Sequence, residues 1–117
     1  MKTKIFLALL LARVAALAMA QTPTYTASDA AKHVGEIATI TGKVAGVHQS
    51  ERGNIFLNLG GKNANQIVTA FIPAASAGDF SNPQQYDGKI VAVSGKITLN
   101  HGKPEIIVTN VSQIIIK

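Results

Sequence analysis

Gly35-Glu36-Ile37-Ala38-Thr39-Ile40-Thr41-Gly42-Lys43-Val44-Ala45-Gly46-Val47-His48 aligns without gaps on Gly88-Lys89-Ile90-Val91-Ala92-Val93-Ser94-Gly95-Lys96-Ile97-Thr98-Leu99-Asn100-His101. The leading Gly, the third-position Ile, the inner Gly, the following Lys and the final His coincide. Both copies are rich in Ile, Val and Thr with period-2 alternation, the pattern of a β-strand with one face in a core. Different sequence separates them, which excludes a solenoid of adjacent stacked units. They read as two long strands with the same geometric task. A glycine inside a strand marks a bulge, a bend or a close backbone approach, so Gly42 and Gly95 predict strands coiled enough to serve both sides of a small closed barrel.

Working outward, Asn54 to Leu59, Ile67 to Ile72 and Glu105 to Val111 are shorter runs of the same kind. Turn chemistry separates the runs at Ser50–Gly53, Gly60–Asn63, Tyr86–Gly88 and Asn100–Gly102. Pro73 to Gln85 breaks the β pattern, and Ala74-Ala75-Ser76-Ala77 within it suits one short helix. Another short helix is expected over Ala27 to Val34: Thr26 or Ser28 can cap it, Asp29 suits its first turn, and Gly35 suits its stop. Alternation sends Ala38, Ile40, Gly42, Val44, Ile55, Leu57, Leu59, Val68, Ala70 and Ile72 inward, and leaves Thr39, Thr41, Lys43, Asn54, Phe56, Asn58, Thr69 and Phe71 outward. Phe80 and Tyr86 flank the helix that follows the third strand and are expected to plug the barrel end. The fold class is mainly all-β: five strands, a short helix between the third and fourth, and a short N-terminal helix.

The N-terminus reads as an export signal. Lys2 and Lys4 precede an apolar run, Ile5 to Ala12, and Ala18-Met19-Ala20 supplies the small-x-small cleavage pattern, so cleavage is expected after Ala20. Arg13 interrupts the apolar stretch, which counts against a permanent span of about 20 apolar residues. The expected division is therefore a signal peptide at 1–20, a flexible lead-in at 21–26 and one domain at 27–117. Localisation is expected to be periplasmic or secreted, with no stable membrane span after cleavage.

Of 117 residues, 11 are Lys or Arg and 6 are Asp or Glu. Lys2, Lys4 and Arg13 belong to the export segment, so the remaining chain carries 8 basic against 6 acidic residues, a balance of +2. The high isoelectric point is thus no nucleic-acid footprint in itself, since charge balance bears on solubility and non-specific binding. The absence of cysteine excludes disulfide frameworks, thiolate metal sites and thiol nucleophiles.

Five strands with a helix after the third, and long coiled strands at positions one and four, resemble the Greek-key barrel of the oligonucleotide/oligosaccharide-binding (OB) fold. Residues 36–114 look like the OB domain that binds anticodons in class II aminoacyl-tRNA synthetases. The resemblance rests on Ala38-Thr39-Ile40-Thr41-Gly42-Lys43-Val44, on Ile55-Phe56-Leu57-Asn58-Leu59 and on Asp87 to Ile97. The export signal and the closing Val111-Ser112-Gln113-Ile114 are also similar to small periplasmic, stress-associated bacterial OB-fold proteins. The resemblance implies a base-stacking role for Phe56 and a polar base-reading role for Thr69. His48 stands where those relatives carry an Arg.

Little in the sequence points to catalysis. Asp29, Glu36, Glu51, Asp79, Asp87 and Glu105 fall mostly in turns or at strand edges and are not paired for general acid–base work. His33, His48 and His101 lack metal-ligand spacing. Gly60-Gly61-Lys62 lies between strands and lacks the phosphate-loop spacing, and Asn110-Val111-Ser112 is an isolated match to a glycosylation acceptor. No enzyme activity, cofactor or metal is expected. What remains is binding on the barrel face. Phe56 and Phe71 fall on adjacent strands, with Asn58, Thr69 and His48 near them, and Lys43, Arg52, Lys62, Lys96 and Lys103 are the available phosphate partners. Single-stranded nucleic acid with weak sequence preference is the leading ligand. The alternative is a stress-associated periplasmic protein that binds another protein or a small ligand; oligosaccharide, with no Trp in the chain, ranks third. Two readings of the aromatic pair stand: a ligand platform, or packing covered by the N-terminal helix or the Gly60–Gln66 loop.

Overall fold

The structure, a computed structural model, describes residues 22–61 and 65–117. The expected export segment with its cleavage point, and Lys62 and Asn63 of the Gly60–Asn63 turn, lie outside the described residues.

The two echoing segments pair with each other. Strand β2 (Ile37–Gln49) runs antiparallel to β5 (Ile90–Asn100), in register from Ile37 opposite Lys96 to Lys43 opposite Ile90. Each of those two pairs is the repeat-equivalent of the other, and Ile40 faces its own counterpart, Val93. The echo in sequence is therefore a local two-fold relation in space. Each strand then leaves this shared stretch for a different partner. Past a bulge between Val44 and Gly46, β2 pairs antiparallel with β3 (Ile55–Leu59). Past Gly95, β5 pairs antiparallel with β6 (Lys103–Ile107). β3 pairs antiparallel with β4 (Val68–Ile72), and the parallel pairing of β4 with β6 closes the cylinder. Pairing closes these five strands into a cylinder, and the outer edges of β2 and β5 along their shared stretch are left for two short added strands.

Five barrel strands match the expected count, and two short strands add to it. Thr24–Thr26, expected in a flexible lead-in, is strand β1 and lies parallel to Thr39–Thr41 of β2. Ile114–Ile116 is strand β7, antiparallel to Val91–Val93 of β5. The expected N-terminal helix is a 3-10 helix over Ala27–His33. Its two buried residues, Ala27 and Ala30, are three apart, the spacing that eclipses on a 3-10 helix. Ala is the side chain that lets this turn approach β2 closely: a Cβ at Gly42 would lie 3.1 Å from that of Ala27.

Helix α1 (Ala74–Ala77) is the short helix expected after the third barrel strand. Pro73 at its start offers no capping side chain; Asn54 in the β2–β3 connection accepts from the Ala74 N–H instead, at 2.9 Å. The inward set fills the cylinder, with Ala38, Ile40, Val44, Ile55, Leu57, Leu59, Val68, Ala70 and Ile72 all buried and joined by Val91, Val93, Ile97, Ile106 and Val108. Phe80 and Tyr86 are buried members of the same cluster.

A polar clamp secures the N-terminal segment. The Tyr25 hydroxyl donates to Glu36 Oε1 at 2.7 Å, His33 Nδ1 donates to Glu36 Oε2 at 2.7 Å, and the Tyr25 and His33 rings stack at 3.6 Å. These hydrogen bonds, that from Tyr25 foremost, hold the Glu36 carboxyl below its ordinary range. Glu36 in turn raises the Tyr25 phenol above its ordinary value, whereas Tyr86 is raised by burial. A lowered carboxyl stabilises above its unfolded pKa and loses that contribution as pH falls through the folded value. A raised phenol stabilises below its unfolded pKa and loses it as pH rises through the folded one. The clamp is thus complete between the carboxylate and phenol ranges. In an alkaline absorbance titration both tyrosines are expected to ionise late, and Glu36→Gln to return one of them toward the usual value near 10. Two unchanged late transitions in that variant would remove the carboxylate from this account.

Candidate ligand-binding groove

The outer face of β2–β3–β4–β6 carries two neighbouring rows of side chains set by register. In one row His48 faces Phe56, Phe56 faces Phe71, and Phe71 faces Ile107. In the other, Gly46 faces Asn58, Asn58 faces Thr69, Thr69 faces Glu105, and Glu105 faces Thr98 of β5. Residues two apart along a strand share a face, so the first row is a ledge of rings and the second a polar floor beside it. Ring centroids are 5.9 Å apart for His48–Phe56 and 5.3 Å for Phe56–Phe71, within the range of favourable aromatic pairs.

Phe56 and Phe71 are half-buried, outside the hydrophobic core cluster. Ala27 and Ala30 of the 3-10 helix do belong to that cluster. The rings thus lie outside that core without being fully exposed, and Gln66, at the end of the Gly60–Gln66 loop, lines the same cavity as Phe56. Polar burial is the less expected feature. Asn58, Thr69 and Glu105 are 6%, 8% and 8% exposed although they point away from the core. The Phe row, Gln66 before β4 and the β5–β6 hairpin wall them in. A cavity of about 380 Å³ is lined by His48, Ser50, Phe56, Asn58, Gln66, Thr69, Asn100 and Glu105. A second of about 260 Å³ shares Gln66, Thr69, Asn100 and Glu105 and extends the groove to His101, Lys103 and Pro104.

Hydrogen bonds fix the walls. Asn100 Nδ2 donates to Glu105 Oε2 at 3.1 Å, Thr98 Oγ1 donates to the Glu105 carbonyl at 2.9 Å, and Gln66 Nε2 donates to Thr69 Oγ1 at 3.4 Å. The hairpin turns through His101 and Gly102 with φ of 52° and 77°. Two successive positive φ values make the tight reversal whose twist matches paired strands, and this sets Asn100 beside Glu105.

The expected site residues divide. His48, Phe56, Asn58, Thr69 and Lys103 line the groove. Phe71 continues its ring row, and Arg52 lies in the β2–β3 turn, two residues from the lining Ser50. Lys43 and Lys96 are not brought there. They lie opposite Ile90 and Ile37 in the β2–β5 pairing, and Lys43 borders a separate cavity with Gly60, Asp87 and Gly88. Sequence reading placed both lysines outward but could not tell which outer face they occupy, because β2 and β5 change partners along their length.

It also missed Gln66, Asn100, His101 and Glu105 as groove residues. Glu105 reaches the floor through the parallel β4–β6 pairing, which joins segments far apart in the chain and leaves no local pattern. His101 carried one available signal: it is the repeat-equivalent of His48, and both border the groove. Among the described residues, no group of three or more His, Cys, Asp or Glu could hold a metal ion. Nor is any helix of the described residues long and apolar enough to cross a membrane.

No family model and no curated protein matches the chain. Solved structures do. A putative aspartyl-tRNA synthetase from Leishmania major Friedlin superposes with a TM-score of 0.53 at 16% identity, over 82% of this chain and 21% of that one. The chain thus spans about a fifth of the synthetase. The OBody AM1L10, solved bound to hen egg-white lysozyme, superposes with a TM-score of 0.57 at 16% identity, over 83% of this chain and 95% of that one. At these identities the likeness concerns the fold, and the fold is the mainly-β OB barrel.

Proposed function

We propose that this chain is an exported, non-catalytic OB-fold binding protein that takes single-stranded nucleic acid into the groove. The observation that carries the reading is the partly buried Phe56–Phe71 pair beside the polar floor of Asn58, Thr69 and Glu105. A base is a flat apolar plate with a polar edge. A ring row suits its face, and hydrogen-bonding groups about two residues along the strands suit its edge. Every base has a π-face, so stacking accommodates many sequences. The likeness in fold to a tRNA synthetase is consistent with this reading.

The distribution of charge defines how it binds. Among the described residues, Arg52 and Lys103 are the cations on or beside the groove, and Glu105 is a carboxyl group at its floor. Each phosphate neutralised on a single strand contributes a salt slope of about −0.7, so two cations give a slope of log K against log salt of about −1.4 or shallower. Fluorescence anisotropy with a labelled oligonucleotide at several salt concentrations measures it. Lys43→Ala and Lys96→Ala are expected to leave the slope unchanged. A slope several-fold steeper would mean that phosphates bind elsewhere, and no binding at low salt would end the nucleic-acid reading.

One observation favours a second reading, a protein or small-ligand partner: Lys43 and Lys96 lie away from the rings. The OBody bound to lysozyme is an example of a similar fold with a protein partner. In that case oligonucleotide binding is absent and a partner co-purifies with the chain from its native compartment.

A further inference from the structure

Among the described residues, Gln66 Oε1 is the buried side-chain polar atom without a hydrogen-bond partner. It belongs to a side chain that lines both halves of the groove. The carboxamide is held from its other arm, since Nε2 donates to Thr69 Oγ1 at 3.4 Å, and the backbone beneath is fixed by the Ile67 N–H donating to the Leu59 carbonyl at 2.9 Å. A buried acceptor left without a donor destabilises the fold, and native structures hold few of them. Each that persists calls for a physical reason.

We infer that Gln66 is a specificity-determining residue that accepts from the exocyclic amino group of a bound base, so that the groove prefers amino-bearing bases to thymine. The inference rests on the nucleic-acid reading of the groove. The terminal torsion of glutamine is soft, so the carboxamide of this groove-lining side chain can turn to meet a donor. The surroundings point the same way. Glu105, an acceptor when ionised, is on the floor, and its Oε2 is already used by Asn100. Beside the Asn58 amide and the Ser50 hydroxyl, which can donate as well as accept, Gln66 Oε1 and the Glu105 carboxylate are acceptors that suit a donor on the ligand. Cytosine offers an amino group at N4, adenine at N6 and guanine at N2, whereas thymine has none. Without a ligand the orphaned oxygen is a standing cost; with an amino-bearing base it becomes a hydrogen bond.

The test compares fluorescence anisotropy of labelled oligodeoxycytidine and oligodeoxythymidine of equal length on the wild type, Gln66→Leu and Gln66→Glu, with the Tm of each protein. The wild type is expected to bind the cytidine strand about tenfold more tightly, equivalent to about 1.4 kcal/mol. Gln66→Leu removes the acceptor and is expected to reduce the preference to about twofold or less, with Tm equal to or above the wild type because no orphan remains. Gln66→Glu retains an acceptor and keeps the preference. Equal affinities in the wild type, or an undiminished preference in Gln66→Leu, would overturn the inference while leaving the groove a nucleic-acid site. Loss of preference in both variants with a fallen Tm would assign Gln66 to holding the groove's shape and also overturn it. If the wild type binds neither strand, the nucleic-acid reading itself fails.

Discussion

Replacing Phe56 by Ala is expected to weaken binding of a labelled single strand by about 10- to 100-fold, within the 1–3 kcal/mol range of one base–aromatic stack. Phe56 is the central ring of its row, between His48 and Phe71, and its removal leaves those two without their shared neighbour. It is also the ring of the Phe pair that borders the larger cavity. The inward residues on either side, Ile55 and Leu57, hold β3 in the core, so the strand remains in place when the ring is lost. Phe56→Leu separates two causes. Leucine keeps apolar contact but has no π-face, so a stacking role predicts that Leu binds nearly as poorly as Ala. A simple packing role predicts recovery with Leu. Unchanged affinity in Phe56→Ala, with the protein folded, would remove the ledge from the mechanism.

Gly95→Ala is expected to have the largest effect on stability, about 2–6 kcal/mol, from two causes that act together. Gly95 has φ of 155°, a conformation that L side chains rarely adopt, and strain of that kind costs about 1–3 kcal/mol. An added Cβ would lie 2.7 Å from Ile106 Cγ2 and 3.3 Å from Gln113 Nε2. Ile106 is fully buried and cannot retreat, and overpacking a filled core costs roughly 1–3 kcal/mol more. Gln113 donates to the Ser94 and Ile107 carbonyls and accepts from the Thr109 and Asn110 N–H groups, so displacing it loosens the segment leading into β7. Against a total of about 5–15 kcal/mol, thermal denaturation by circular dichroism should show Tm lower by about 10 °C or more. Gly42→Ala should be milder. Gly42 has no positive φ, and its added Cβ would meet side chains at 3.1 and 3.3 Å, which need to yield only a few tenths of an ångström. Equal losses at the two positions would contradict this difference.

That contrast shows where sequence reading stops. The echo gives Gly42 and Gly95 the same neighbours in sequence, and reading treats them alike. Around each, the tertiary surroundings differ: Gly42 lies beneath the 3-10 helix, and Gly95 lies against Ile106 where β5 turns from β2 to β6. A local pattern does not contain the identity of a neighbour brought from another part of the chain. The same reason hid the edge strands. Thr24–Thr26 and Ile114–Ile116 are too short to show alternation, and become strands because β2 and β5 offer them edges to pair with.

The mainly-β class, the five barrel strands, the helix after the third and the inward set of residues are all legible in the chain's local pattern. Each of these follows from periodicity and turn chemistry, which act over a few residues. The same pattern also shows that Phe56 and Phe71 face outward, since the face of a strand residue depends only on its parity. Which outward residues share a surface is settled by the three-dimensional fold. It gathered His48, Asn58, Gln66, Thr69, Asn100 and Glu105 around the rings and left Lys43 and Lys96 on the stretch where β2 and β5 pair with each other. The cause is the parallel closure of β4 on β6 together with the change of partners along β2 and β5. These are choices of long-range pairing, made by the burial of the whole core at once, and no short stretch of chain encodes them.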